Sequence, residues 1–185
     1  MDLIDSDRFA DQVYVATKNA FTELIRGNSD QTFYAFALWT DDSLQYLQPA
    51  ANTEEALTAT VQRYRETVDS RYGTTSARDG MRWSYGDWGF FPYEDGDHFR
   101  EINEALNEFI DSEDEVFEAG IDSLWAAILN GFKRLETEQF FGSGSERSKV
   151  TLLLVGDLPS ELVDSWVAAL NPPDVVARYS GRSHG

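Results

Sequence analysis

The densest run of side chains able to hold a ligand is Arg82-Trp83-Ser84-Tyr85-Gly86-Asp87-Trp88. Arg, Trp and Tyr combine large contact area with charge and directional donors, so they are over-used as binding anchors. The run supports a small-ligand pocket, or an enzyme site, built on Arg82, Trp83, Tyr85 and Trp88. The competing account, favoured because large aromatics usually serve packing, is a strand whose rings face the core and whose Arg82 pairs with a carboxylate. Other chemistry has less to draw on. There are two histidines and no cysteine, which excludes thiol catalysis, disulfides and cysteine-ligated zinc. His184 lies at the tail end, and His98 follows Asp95 and Asp97. That trio has the ligand types of an oxygen-and-imidazole metal site, but the same acids can simply cap a helix start. No calcium-loop template fits Asp95 or Asp111, and Gly142-Ser143-Gly144-Ser145 lacks the spacing of a nucleophile elbow. Neither a dinucleotide fingerprint nor a P-loop occurs, and with 33 acids the choice of any catalytic carboxylate pair is arbitrary. The expectation is a protein without catalytic residues, metal or cofactor.

Acidic residues form the other candidate site. Nine acids and no Lys or Arg lie between Glu101 and Asp122. Residues 91–140 hold 14 acids and 3 bases, against 14 and 8 in residues 1–90 and 5 and 4 in residues 141–185. Glu101, Glu104, Glu108 and Asp111 fall on one side of a helix, and Glu115, Glu118 and Asp122 continue the series on the next. Such a field steers a basic protein toward encounter; inside a cell, dense positive charge belongs mostly to nucleases and nucleic-acid-binding proteins. An acidic coat for hydration, as in salt-adapted proteins, is the competing account of the net charge of −18. It accounts less well for the concentration in one segment. Mimicry of DNA would need carboxylates spaced over a longer face than one helix pair offers.

The elements that must position these residues follow from hydrophobic period. Phe9, Val13, Ala16, Ala20 and Leu24 recur at helical spacing and predict a helix over 6–26, stopped at Arg26-Gly27. Residues 31–40 are nearly all apolar, which predicts a strand covered on both faces. Residues 44–48 would return antiparallel, with Pro49 ending them and Asn52 capping a helix to about Ser70. Residues 71–80 read as a loop and Met81–Trp88 as a short strand. Phe99, Ile102, Leu106, Phe109 and Ile110 mark an amphipathic helix over 97–111, and Ser112 with Glu115 can box the start of another over 113–137. Gly142–Ser145 reads as a linker, Val150–Val155 as a second buried strand, and Pro159 as the start of a helix stopped by Asn171-Pro172-Pro173. The last dozen residues are mostly polar and are expected to fray. The pattern predicts an α+β fold in which about five helices cover a small, mainly antiparallel sheet.

Length and composition set the bounds. A chain of 185 residues with 42% hydrophobic and 14% aromatic residues is expected to form one domain over 1–185, with its core in about 6–180. The negative balance argues against nucleic acid and anionic lipid as partners. The longest apolar run, Phe33–Trp39, is far shorter than a membrane span, and the acidic start Met1-Asp2-Leu3-Ile4-Asp5 is unlike a signal peptide. A cytoplasmic location is expected.

Phe33–Leu38 with Asp41-Asp42 after it resembles the first strand and turn of a bacterial family, domain of unknown function 4303. Pro49–Leu57, Arg82-Trp83-Ser84 with Trp88, Val150–Leu154, and Leu170-Asn171-Pro172-Pro173 resemble its later signatures in the same order. The resemblance spans about residues 6–180; the Gly142–Ser145 linker and the basic tail read as local additions. It implies no activity and no catalytic residues. Small acidic families of this type accompany bacterial toxins as immunity proteins, so the sequence-level expectation is a protein-binding, immunity-type inhibitor of a basic toxin or nuclease.

Overall fold

In a computed structural model, residues 5–91, 98–112 and 114–181 are described, without the side chains of residues 114–116. Helix α1 (Ser6–Gly27) begins where the Asp5 carboxylate accepts from the amides of Asp7 and Arg8, satisfying donors that have no partner inside the helix. Its Phe9, Val13, Ala16, Ala20 and Phe21 are buried, as the spacing requires. Strand β1 (Phe33–Asp41) is central: β2 (Gln48–Thr53) pairs with it antiparallel and β3 (Thr151–Asp157) parallel, in the order β2-β1-β3. Side chains alternate across a strand. Phe36 and Leu38 therefore join Leu152 and Leu154 in one core, while Ala35 and Ala37 join Leu153 and Val155 in a second core on the opposite face.

The first core is covered by α1, α4 (Arg100–Ile110) and α5 (Asp114–Thr137). Gly131 lets α5 lie against α1, since a Cβ there would meet the Ala10 carbonyl oxygen at 2.6 Å. The second core takes Leu57 from α2 (Glu54–Thr67), Met81 from α3 (Thr75–Arg82), and Tyr179 from α8 (Pro173–Ser180). Between β3 and α8, α7 (Ser160–Leu170) sends Trp166 and Leu170 to one core and Val163 and Val167 to the other.

The fold is α+β with a small sheet. Among the described residues it has eight helices rather than about five, and one of its two strand pairings is parallel. The additional helices are short, and each lies where polar residues suggested loop, linker or fraying tail. One is α3, which the Thr74 hydroxyl caps by accepting from the Ala77 amide. Another is α6 (Gly144–Arg147), one turn that delivers Arg147 to the interior. The third is α8, held by buried Val175 and Tyr179.

The strand expected over Met81–Trp88 is instead the end of α3 followed by a 3₁₀ turn at Tyr85–Asp87. Met81 and Trp88 reach the core singly and no period-2 face forms. The return strand lies later than 44–48. Pro49 sits inside β2 opposite Leu38, where an edge position tolerates its missing N–H. The cap of α2 is Thr53, whose hydroxyl accepts from the Ala56 amide, and Asn52 is in the strand. No helix of the described residues is long and apolar enough to cross a membrane.

Candidate functional site

Helix α4 carries its acids away from the core. At 100° per residue Glu101, Glu104, Glu108 and Asp111 span an arc of about 80°, roughly opposite Ile102, Leu106 and Phe109; the three apolar residues are buried and all four acids exposed. On α5, Glu118 and Asp122 are exposed one turn apart while Leu124, Ile128 and Phe132 are buried. The two helices meet through Phe109 and Phe117, whose ring centroids are 5.4 Å apart. The Glu115 side chain lies outside the described residues, and with it the capping box expected from Ser112. No carboxylate of these six acids makes an ion pair or a side-chain hydrogen bond among the described residues.

Several carboxylates elsewhere are engaged by bases. Glu54 accepts both terminal nitrogens of Arg82 at 2.7 and 2.8 Å and a third bond from Arg78 at 3.2 Å. Asp69 pairs with Arg71 and Glu138 with Lys18. Asp11 pairs with Arg134, and Glu136 with the buried Arg147.

The Arg82 cluster divides on inspection. Arg82, half-buried at the end of α3, stacks over the Tyr34 ring, its guanidinium carbon 4.3 Å from the centroid. Trp83 meets Tyr34 and Tyr179 edge-on, at centroid distances of 6.1 and 5.0 Å. Both Arg82 and Trp83 line an open cleft of about 600 Å³ at the end of the sheet where β1 and β3 begin. Tyr85 and Trp88 do not line it. The Tyr85 hydroxyl donates to the Gly156 carbonyl at 2.6 Å, and buried Trp88 donates from Nε1 to the Arg82 carbonyl at 3.1 Å. Each hydroxyl or indole bond satisfies a main-chain acceptor within the fold.

Tyr34 forms the inner wall of the cleft. Its hydroxyl donates to the Arg82 carbonyl at 2.9 Å and accepts from Asn52 Nδ2 at 2.8 Å. Burial raises the phenol well above its ordinary value, which keeps it a neutral donor. Hydrogen bonds from Arg82 hold the Glu54 carboxyl below the usual carboxylate range. Lys149, Arg178 and Asp79 also line the cleft. Neither cation was legible as a partner of Arg82, because no spacing rule links residues so far apart in the chain.

His98 sits beside Glu23, its Nε2 3.0 Å from a carboxylate oxygen. Asp95 and Asp97, the other members of the metal trio, lie outside the described residues. Among the described residues no group of three or more His, Asp or Glu side chains is placed to hold a metal.

With the strands, the Arg82-Trp83-Ser84 corner and the Asn171 stop in place, the chain can be set beside known proteins. The model of a family described as a domain of unknown function (DUF4303) matches residues 13–172, and the chain belongs to that family. No curated protein matches it, and neither does any solved structure.

Proposed function

We propose that this protein is a non-enzymatic protein-binding module whose acidic α4–α5 surface meets a basic protein, in the manner of an immunity protein covering the cationic site of a toxin or nuclease. One observation carries the reading. Glu101, Glu104, Glu108, Asp111, Glu118 and Asp122 are all exposed and none has an ion pair among the described residues, so the unpaired negative charge is concentrated on one helix pair, whereas Glu54, Glu136 and Glu138 are paired with bases. Hydration of the surface would be served by acids placed anywhere. Local helix stability would be served by acids at helix starts, but Glu108 and Asp111 stand at the end of α4, which has no basic residue in its last turn. There the helix dipole disfavours negative charge by about 0.3–1 kcal/mol per residue. An external cation would relieve this cost, and a field of one sign raises the rate of encounter with a basic partner.

The test is capture from the native host followed by identification and reconstitution with the purified partner. The expected partner is basic, and it binds more weakly as salt rises. A triple reversal, Glu101→Lys, Glu104→Lys and Glu108→Lys, should weaken the complex by about 100-fold or more, in line with loss of several charge pairs. Reversal of Asp30, Glu66 and Glu161, exposed acids elsewhere, should change it by less than about threefold. Equal loss in the two triple variants would show a net-charge effect and defeat the proposal.

A further inference from the structure

Three of the chain's 15 basic side chains, Arg82, Lys149 and Arg178, line one cleft, and Arg78 and Arg147 flank it. In a protein of net charge −18 this concentration runs against the general balance, so an acidic coat for solubility does not explain it. The lining itself holds two acids, Glu54 and Asp79, against three bases; Glu54 has both oxygens engaged by Arg82 and Arg78, Lys149 pairs with Glu146 and Arg147 with Glu136. Arg178 is the least compensated. Its guanidinium donates to the Ser148 carbonyl and, at 3.0 Å, to the Thr151 hydroxyl. It has no carboxylate at ion-pair distance among the described residues. Asp174, one turn back on α8, attracts it but is itself hydrogen-bonded to Ser148. An arginine has five N–H donors, so the two bonds leave most of its capacity open. Burial, together with repulsion from Arg82 and Arg147, pulls its pKa below the ordinary value, a tension that a bound anion would relieve.

The rest of the lining supplies different chemistry. Trp83 lines the cleft beside Arg82, half-buried, with its ring plane held by near-perpendicular contacts to two tyrosines. Asp79, exposed and lining the same cleft, can accept from hydroxyl groups. The cleft volume of about 600 Å³ falls within the usual range for small-molecule sites. Arg and Lys together are the common means of holding a phosphate. We infer that this cleft binds a small phosphate monoester carrying a flat ring and hydroxyls, of the nucleoside monophosphate class, with the phosphate on Arg178 and Lys149 and the ring against Trp83.

Calorimetric titration of the full chain with AMP, GMP, CMP and UMP, alongside adenosine and inorganic phosphate, tests this. At least one nucleotide should bind with a dissociation constant below about 1 mM, and its nucleoside and phosphate alone at least about tenfold more weakly. Arg178→Gln should weaken the nucleotide by about tenfold or more. Because Arg178 also ties α8 to β3, Lys149→Gln serves as the second variant: Lys149 is exposed and, among the described residues, pairs with Glu146 alone. It should weaken binding severalfold without moving the melting temperature. The inference is overturned if no nucleotide binds at about 5 mM. It is also overturned if nucleoside or phosphate alone binds as tightly, or if both variants bind like the wild type. The reversals on α4 should leave this binding intact, so failure here and failure of the protein-binding proposal are separate results.

Discussion

The Asn171 carboxamide completes the outer edge of β3 at Leu152: its Oδ1 accepts from the Leu152 amide and its Nδ2 donates to the Leu152 carbonyl, both at 2.8 Å. A side chain thus imitates the pairing of a fourth strand. The same Oδ1 accepts from Arg147 Nη2 at 3.0 Å, and Nδ2 also reaches the Val167 carbonyl. Asn171→Ala would leave several buried main-chain groups and the Arg147 guanidinium short of partners, at about 2–4 kcal/mol. Asn171→Asp should cost a similar amount, because a carboxylate would face the Leu152 and Val167 carbonyls. Urea unfolding measures both; a loss below about 0.5 kcal/mol in each would mean that water substitutes freely at this edge.

Gly156 stands opposite Thr40 in the parallel β1–β3 pairing, and a Cβ on it would come within 1.6 Å of the Thr40 carbonyl oxygen. The clash is with the backbone of the central strand β1, so no rotamer change relieves it. Gly156→Ala should therefore destabilise by more than about 3 kcal/mol or leave the protein unfolded. Gly86→Ala is the matched control, since nothing lies within 4 Å of its Cβ position. Circular dichroism melts of the two variants should differ by many degrees, and equal melts would contradict the packing at Gly156.

Glu54 gives the stability a pH dependence of defined sign. Its folded pKa lies below the ordinary 4.5, chiefly through the hydrogen bonds from Arg82. The ion pair's contribution is therefore complete above the unfolded value and is lost as pH falls through the lower folded value. The Glu54 side chain is 38% exposed, so water screens the pair and Glu54→Gln should cost only about 1 kcal/mol at neutral pH. The gap between wild type and variant should hold steady from about pH 7 to pH 5 and shrink below about pH 4.5. A gap that persists unchanged at about pH 3 would assign it to packing rather than charge.

What the chain announces in advance is whatever repeats locally. The spacing of Phe9, Val13 and Ala16 shows α1, the unbroken apolar runs show β1 and β3, and Ile102, Leu106 and Phe109 opposite Glu101, Glu104 and Glu108 show α4. Roles set by distant partners stay hidden. Arg147 looks like a surface residue in a Gly-Ser stretch, yet it is 4% exposed because Glu136 and the carbonyls of Val150 and Leu170 receive it. Asn171 announces a helix stop and not a strand edge. In the cleft, Arg82 and Trp83 stand out by type, whereas Arg178 and Lys149 acquire meaning only once α8 and the start of β3 close on them.

The end of α4 offers a test in which stability and binding are expected to move in opposite directions. Glu108 and Asp111 put negative charge on the carbonyl end of the helix, and no basic residue occupies its last turn. Glu108→Lys replaces a repulsive term with an attractive one and should stabilise the free protein by about 0.5–1 kcal/mol. For a domain of this size that is a rise of about 1–4 °C in melting temperature. Asp111→Lys, at the residue ending the helix, should act in the same direction. High salt should shrink the gain, since both charges are exposed. A stabilised variant that no longer binds a basic protein captured by the wild type would identify these acids as kept for binding at the expense of the fold. A variant that gains no stability would remove the helix-end cost from the case for an interaction surface.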